Sequence, residues 1–150
     1  KVNAAYAKFG LKAVVKPFLA EMDLALGAAT ACVSRAGASS LAEIAAMRLP
    51  SALVPLPTSA DNHQFFNAQG FAESGAAVLI EQKDLTPDRM VPALRTLLVD
   101  SVWRSNAKAA LAKAHCPAAA EQIATAILSA CVASAPALKP GDATLATVIG

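Results

Sequence analysis

Short apolar runs alternate with helical patterns along the first 85 residues of the chain. Four runs are apolar without interruption: residues 13–15, 31–33, 51–54 and 76–80. Strands that are buried on both faces of a parallel sheet have this composition, because neither face meets water. The sequence therefore predicts four short parallel strands.

Helical spacing of apolar residues separates these runs and continues after them. Strands that alternate with helices of this length are typical of βαβ units. Beyond residue 85 the pattern is entirely helical, and Thr86-Pro87-Asp88 predicts a helix start with proline at the first helical position. The predicted helices are residues 2–9, 20–29, 39–48, 62–74, 87–99, 101–114 and 117–133.

The resulting fold class is α/β: a Rossmann-like parallel sheet with flanking helices, followed by C-terminal helices. Residues 1–133 form the predicted domain. From Ser134 onward Pro136, Pro140 and Gly141 interrupt the pattern, so we expect residues 134–150 to be a flexible tail.

Composition narrows the function classes. The chain is 55% hydrophobic and 16% charged, a balance that favours folding over disorder. The net charge of +2 is too small for a nucleic-acid surface, which needs a dense basic patch.

Cys32, Cys116 and Cys131 lack the spacing of a disulfide framework or a zinc site, and we expect a reducing, cytoplasmic compartment. The uncharged stretch at residues 123–138 contains Thr125, Ser129, Ser134 and Pro136 and is shorter than the roughly 20 apolar residues of a membrane-spanning helix, so no transmembrane segment is predicted.

The most informative stretch is Ser34-Arg35-Ala36-Gly37-Ala38-Ser39-Ser40-Leu41-Ala42-Glu43. It follows a predicted buried strand and begins a helix. Small residues let the backbone approach a ligand, and Gly37 can adopt a positive φ at no steric cost. A helix N-terminus presents unpaired N–H groups and a partial positive charge. This pattern predicts a diphosphate site at the carboxyl end of the strand.

Two interpretations of Glu43 remain open at this point. Ser40 and Glu43 match the S-x-x-E capping box, in which the carboxylate only satisfies a backbone N–H. Alternatively, Glu43 accepts hydrogen bonds from two ribose hydroxyls.

A second polar cluster, Asp61-Asn62-His63-Gln64-Phe65-Phe66-Asn67, follows the third apolar run. Gln64 and Asn67 are three residues apart and share a helix face. Amides both donate and accept hydrogen bonds, which suits sugar hydroxyls. The alternative is an ordinary polar helix start with Asp61 as its cap.

Taken in order, these motifs strongly resemble the family of MurG-like glycosyltransferases, which make the peptidoglycan precursor. The resemblance rests on Ser34-Arg35-Ala36-Gly37-Ala38 with Glu43, Leu49-Pro50, Val54-Pro55-Leu56-Pro57, Asp61-Asn62-His63-Gln64 with Asn67-Ala68, Ser74-Gly75-Ala76-Ala77 and Leu85-Thr86-Pro87. Pro17-Phe18-Leu19 and Met22 stand where the family has its uracil-side loop. The match covers roughly residues 5–115. Arg48 departs from the family, which often has a helix-ending glycine there.

The resemblance implies the C-terminal, donor-binding half of a GT-B glycosyltransferase, with the N-terminal part missing from this sequence. The family's glycine-rich motif G-G-S-x-G is absent, and the catalytic base is expected in the missing domain, so no catalytic residue is assigned here. By resemblance the Leu19 backbone meets uracil, Glu43 binds the ribose, and the amides read the donor sugar. The implied substrate-binding residues are Leu19, Arg35, Gly37, Ala38, Ser39, Ser40, Glu43, His63, Gln64 and Asn67.

The implied reaction of the intact protein is inverting transfer of N-acetylglucosamine from UDP-N-acetylglucosamine to the lipid-linked muramyl-pentapeptide, lipid I to lipid II. No D-x-D motif is present, and we expect neither metal nor cofactor. The missing domain would bind the acceptor and the inner face of the plasma membrane, and this chain alone would be inactive. Two alternatives stay open: a GT-B transferase with a glycolipid or glycoside acceptor, and a stand-alone donor-binding subunit of a two-chain transferase.

Overall fold

The computed structural model describes residues 2–134, and the side chains of residues 2–131. The predicted tail therefore lies outside the described residues from position 135 onward. The described elements are α1 (Val2–Lys8), α2 (Met22–Ala28), β1 (Cys32–Ser34), α3 (Ala38–Ala46), β2 (Ser51–Leu53), α4 (His63–Glu73), β3 (Ala77–Leu79), α5 (Pro87–Val99), α6 (Ser101–Ala114) and α7 (Ala119–Ser134).

The three strands form one parallel sheet in the order β1-β2-β3. Val33 pairs with Ala52, and Ala52 pairs with Val78. All three residues of the central strand are buried, as its mainly apolar composition predicts, and the Ser51 hydroxyl is satisfied by donating to Leu49 O at 2.7 Å. The α/β class and the parallel sheet with flanking helices are confirmed.

The first predicted strand, residues 13–15, is wrong. Residues 11–16 have no regular secondary structure, and Val14 is 87% exposed. A strand exists only through hydrogen bonds to a neighbour, and β1 is paired on one side alone, with β2. An apolar composition without a pairing partner does not make a strand.

Helices α3 and α4 end in the same motif, which fixes where the chain turns back towards the sheet. At the end of α4, Gly75 has φ 76°, its N–H donates to Ala72 O, and the Ala76 N–H donates to Phe71 O. This pair of bonds is the Schellman motif, which requires a left-handed residue.

At the end of α3 the left-handed residue is Arg48. Its φ is 48°, its N–H donates to Ala45 O, and the Leu49 N–H donates to Ile44 O. The cap geometry is thus retained although the usual glycine is absent, and a side chain is held in a conformation that L-residues avoid.

Helices α5 and α6 match their predicted bounds, whereas α7 spans Ala119–Ser134 in place of the predicted 117–133. Thr86 is the N-cap of α5 and Pro87 its first residue. Asp100 caps α6, and its carboxylate accepts from the Trp103 N–H at 2.8 Å. The chain forms two units, which divide between His115 and Cys116, and the second contains α7. Within residues 2–134 no helix is both long enough and apolar enough to span a bilayer.

Alanine dominates the interior of the first unit. In this unit α3 packs on α6, α4 on β3, and α5 on β2 and α6. Leu53, Leu97 and Leu111 are fully buried and are among the largest buried side chains. Half of the buried apolar residues are alanines: Ala36, Ala45, Ala52, Ala68, Ala76, Ala77, Ala93 and Ala107. Small side chains at these positions let the layers pack closely around the sheet.

Candidate functional site

Most of the predicted site residues lie near the carboxyl edge of the sheet. The loop at residues 35–37 leaves β1 and leads into α3, and the loop at residues 54–59 leaves β2. The Val54 N–H donates to Ser34 O at 2.8 Å, so the two loops begin side by side. In open parallel sheets this edge is where ligands bind.

The α3 N-terminus has the features of an anion site. Gly37 is its N-cap, and the first intrahelical bond runs from the Leu41 N–H to Gly37 O. Helix geometry therefore leaves the N–H groups of Ala38, Ser39 and Ser40 without intrahelical partners. No acidic residue lies in the first turn, and no side chain caps the helix. The helix dipole is thus available to a ligand with negative charge.

The expected reason for Gly37 needs correction. Its φ is −69° and its ψ is 147°, which any residue adopts. Gly37 is half-buried, and a side chain placed on it would meet no atom within 4 Å. The glycine therefore keeps the approach to the helix N-terminus open and supplies no left-handed turn.

The capping-box interpretation of Ser40 and Glu43 is wrong. Because α3 begins at Ala38, Ser40 lies at the third helical position and cannot be the N-cap. Ser40 and Glu43 instead line a cavity of about 290 Å³ between α2, β1 and α3. Met22 and Leu26 of α2 form its apolar wall. One carboxylate and the hydroxyls of Ser34 and Ser40 beside an apolar wall suit a ribose attached to a base.

Leu19 lies apart from the lining of this cavity. It is half-buried in the irregular segment that precedes α2. Its assignment to uracil therefore remains a prediction from the resemblance.

The start of α4 is set by two consecutive left-handed residues. Asp61 has φ 48° and Asn62 has φ 54°, and both residue types tolerate this conformation better than most. Asn62, not Asp61, is the N-cap residue, and its side chain makes no cap bond; the Ser59 hydroxyl instead accepts from the Gln64 N–H at 3.4 Å. The interpretation of Asp61 as the cap is therefore wrong. His63, the first helical residue, is exposed, and its Nδ1 lies 2.7 Å from Ala60 O.

The Gln64 and Asn67 side chains both reach the loop after β1. Gln64 Oε1 accepts from the Ala36 N–H at 3.3 Å and from the Leu56 N–H at 3.1 Å. Asn67 Nδ2 donates to Ala36 O at 3.1 Å. The two residues share a face, as predicted, and together they satisfy the N–H and the C=O of one fully buried residue. We call Gln64, Asn67 and Ala36 the Ala36 clamp.

Arg35 also connects the two loops. Its Nη1 donates to Val54 O at 3.1 Å and to Pro55 O at 3.2 Å. The guanidinium therefore contributes to holding the loop after β1 against the loop after β2. The sequence predicts Arg35 only as a substrate-binding residue, because no local pattern indicates which carbonyl groups its guanidinium bonds.

A second cavity, of about 470 Å³, lies at the ends of β2 and β3. Pro55, Pro57 and Phe65 supply its apolar surface, and Glu81 and Lys83 are among its polar residues. Lys83 Nζ lies 3.1 Å from Glu81 Oε2, and this ion pair raises the pKa of Lys83. Among residues 2–134 no group of three His, Cys, Asp or Glu side chains could hold a metal ion.

Comparison with known proteins identifies relatives of the whole site region. The model of the glycosyltransferase family 28 C-terminal domain matches residues 1–123. The chain is 45% identical over 131 residues to the UDP-N-acetylglucosamine--N-acetylmuramyl-(pentapeptide) pyrophosphoryl-undecaprenol N-acetylglucosamine transferase of Xanthomonas axonopodis pv. citri (strain 306), covering 85% of this chain and 30% of that protein. It is 37% identical over 124 residues to the protein of the same name from Anaeromyxobacter sp. (strain Fw109-5), covering 83% and 32%. The chain therefore spans about a third of the length of these relatives.

Solved structures agree with this similarity. The crystal structure of Acinetobacter baumannii MurG superposes with a TM-score of 0.75 at 28% identity, covering 85% of this chain and 38% of that one. The glycosyltransferase VinC, solved in complex with dTDP, superposes with a TM-score of 0.56 at 27% identity, covering 72% and 27%.

Proposed function

This chain belongs to the family of glycosyltransferase family 28 C-terminal domains, and on that premise we propose that it is the donor-binding part of a longer transferase that uses UDP-N-acetylglucosamine. The observation that carries the proposal is the convergence of three polar groups at one sheet edge. These groups are the uncapped N-terminus of α3, the Glu43 carboxylate beside an apolar cavity, and the amides of Gln64 and Asn67.

Each group suits one part of a sugar nucleotide. Glu43 and the apolar wall of α2 suit the nucleoside, and the α3 N-terminus suits the diphosphate. Gln64 Nε2 and Asn67 Oδ1, the ends of the amides that do not touch Ala36, supply a donor and an acceptor for a sugar hydroxyl. Leu19, Arg35 and His63 belong to the same proposed set through the family resemblance.

The proposed chemistry is transfer of the sugar with UDP as the leaving group. Negative charge develops on the diphosphate as the glycosidic bond breaks, and the fixed N–H groups of α3 stabilise that charge without reorganisation. By analogy with the named relatives, the acceptor is the lipid-linked muramyl-pentapeptide. The catalytic base, the acceptor site and contact with the inner face of the plasma membrane are then functions of the remainder of the longer protein.

Titration calorimetry on the full-length protein tests the donor site. We expect Glu43→Gln to weaken UDP-N-acetylglucosamine binding about 10-fold or more, since hydrogen bonds to a charged group contribute about 1.5–3 kcal/mol. Glu73→Gln is the matched control, because Glu73 is an exposed carboxylate on α4 that bonds Gln69. Equal affinity of the Glu43 variant and the wild type would refute the assignment of the ribose.

A second measurement tests substrate identity. The wild type should prefer UDP-N-acetylglucosamine to UDP-glucose and should transfer the sugar to the muramyl lipid. Donor binding without transfer to that lipid would favour a GT-B enzyme with another acceptor.

A further inference from the structure

The Ala36 clamp connects two parts of the site that the proposed function treats separately. Gln64 and Asn67 are expected to bind the donor sugar, but in the structure both contact the loop that leads into the proposed diphosphate site. We infer that the Ala36 clamp positions the diphosphate-binding N-terminus of α3, so that Gln64 and Asn67 act on phosphate binding as well as on the sugar. This inference rests on the proposed donor function.

Among the described residues, the hydrogen bonds of the Ala36 backbone come from the clamp. It lies beyond the last paired residue of β1, Ser34, so the sheet ladder does not reach it. It is fully buried, and a buried peptide group must find hydrogen-bond partners. The clamp provides both partners from α4, one for the N–H and one for the C=O.

The position of Ala36 determines the direction of the phosphate-facing N–H groups. The next residue, Gly37, is the N-cap, and the α3 N–H groups that lack intrahelical partners follow immediately. The same Gln64 oxygen also binds the Leu56 N–H at 3.1 Å, which holds the loop after β2 to the clamp. Loss of Gln64 therefore removes a hydrogen bond from each of two loops, and loss of Asn67 removes one from the loop after β1.

Three ligands of increasing length distinguish a clamp that positions the N-terminus of α3 from one that only binds the donor sugar. Uridine lacks the diphosphate, UDP lacks the sugar, and UDP-N-acetylglucosamine has both. If the clamp only reads the sugar, Gln64→Ala and Asn67→Ala weaken the sugar nucleotide alone. If it positions the diphosphate site, both variants weaken UDP and leave uridine unchanged.

The experiment measures the Kd of all three ligands for the full-length wild type, Gln64→Ala and Asn67→Ala. Gln69→Ala is the matched control, since Gln69 lies on the same helix and its side chain bonds only Glu73 among the described residues. We expect UDP affinity to fall about 10-fold in both clamp variants and less than 2-fold in Gln69→Ala, with uridine affinity changed less than 2-fold throughout. Should Gln64→Ala fail to fold, Asn67→Ala decides the question by the same criterion.

Two results would overturn the inference while leaving the donor function intact. Unchanged UDP affinity in the clamp variants would assign the amides to the sugar alone. A parallel loss for all three ligands would mean general loosening of the domain. A wild type that binds neither UDP nor the sugar nucleotide would instead refute the proposed function, and the inference with it.

Discussion

Replacement of Arg48 by glycine should stabilise the domain. Arg48 occupies the left-handed position of the Schellman motif after α3, with φ 48°, where Gly75 occupies the same position after α4. Arg48 is exposed, and its guanidinium makes no hydrogen bond or ion pair with the residues that the structure describes. The substitution therefore changes the backbone strain and little else.

The magnitude follows from three opposing effects. Relief of the left-handed conformation stabilises the folded chain by about 1–2 kcal/mol. Glycine costs roughly 0.5–1 kcal/mol in additional freedom of the unfolded chain. Removal of a positive charge near a helix C-terminus costs a further ~0.3 kcal/mol. The net expectation is stabilisation by about 0.5 kcal/mol, or roughly 1–4 °C in Tm.

Two matched substitutions reverse the sign. Ala46→Gly is two residues earlier, at the exposed last residue of α3, and should destabilise by up to about 0.5 kcal/mol, because glycine adds freedom to the unfolded chain. Gly75→Ala places a Cβ at a left-handed position with no atom within 4 Å, so the conformational cost acts without a clash and should exceed about 0.5 kcal/mol.

Urea unfolding of the four proteins at equal m-value measures these differences. The reasoning would be refuted if Arg48→Gly and Ala46→Gly shifted the midpoint in the same direction by the same amount. That result would mean that the left-handed conformation at position 48 carries no strain.

Two further predictions concern a helix cap and a thiol. Asp100→Ala removes the acceptor for the Trp103 N–H and should lower the free energy of unfolding by about 1 kcal/mol, whereas Asp100→Asn, which retains a capping oxygen, should lower it by much less. Burial raises the pKa of the Cys32 thiol, and a weaker opposing effect comes from its contact with Ser51. At pH 8 less Cys32 is thiolate than an ordinary cysteine would be, so iodoacetamide should label exposed Cys116 before Cys32 by mass spectrometry. The difference should vanish in urea, and faster labelling of Cys32 in the folded protein would contradict the burial argument.

The local sequence correctly predicts where a helix begins or ends when the deciding residue lies within the helix or next to it. Thr86-Pro87 begins α5, and Gly75 ends the motif that follows α4, because proline at the first turn and glycine in the left-handed position act within a few residues. The strand predicted at residues 13–15 does not form, because a strand depends on hydrogen bonds to a partner elsewhere in the chain.

The sequence predicts which residues lie near the carboxyl edge of the sheet but not which atoms they contact. The loop at residues 35–37, Glu43 and the two amides are chosen from residue type and spacing, and their contact with a ligand stays a prediction. The capping-box prediction is wrong because α3 begins at Ala38, two residues before Ser40. A four-residue motif does not determine at which residue the helix begins. The contacts of Gln64 with Ala36 and of Arg35 with Val54 could not be predicted, since these partners lie 28 and 19 residues away and come near only in the folded sheet.

The alanine-rich interior has a consequence for how this domain tolerates mutation over evolutionary time. Substitutions in a protein core usually destabilise by removing side-chain volume, but an alanine side chain is a single methyl group and little volume can be removed from it. Buried sites such as Ala52, Ala68 and Ala107 are fully enclosed, so a larger residue there must push neighbouring layers apart at about 1–3 kcal/mol. A saturation screen should therefore show a one-sided pattern at these positions, with glycine and serine tolerated better than valine or leucine. Sequence drift in this domain is limited chiefly by added volume.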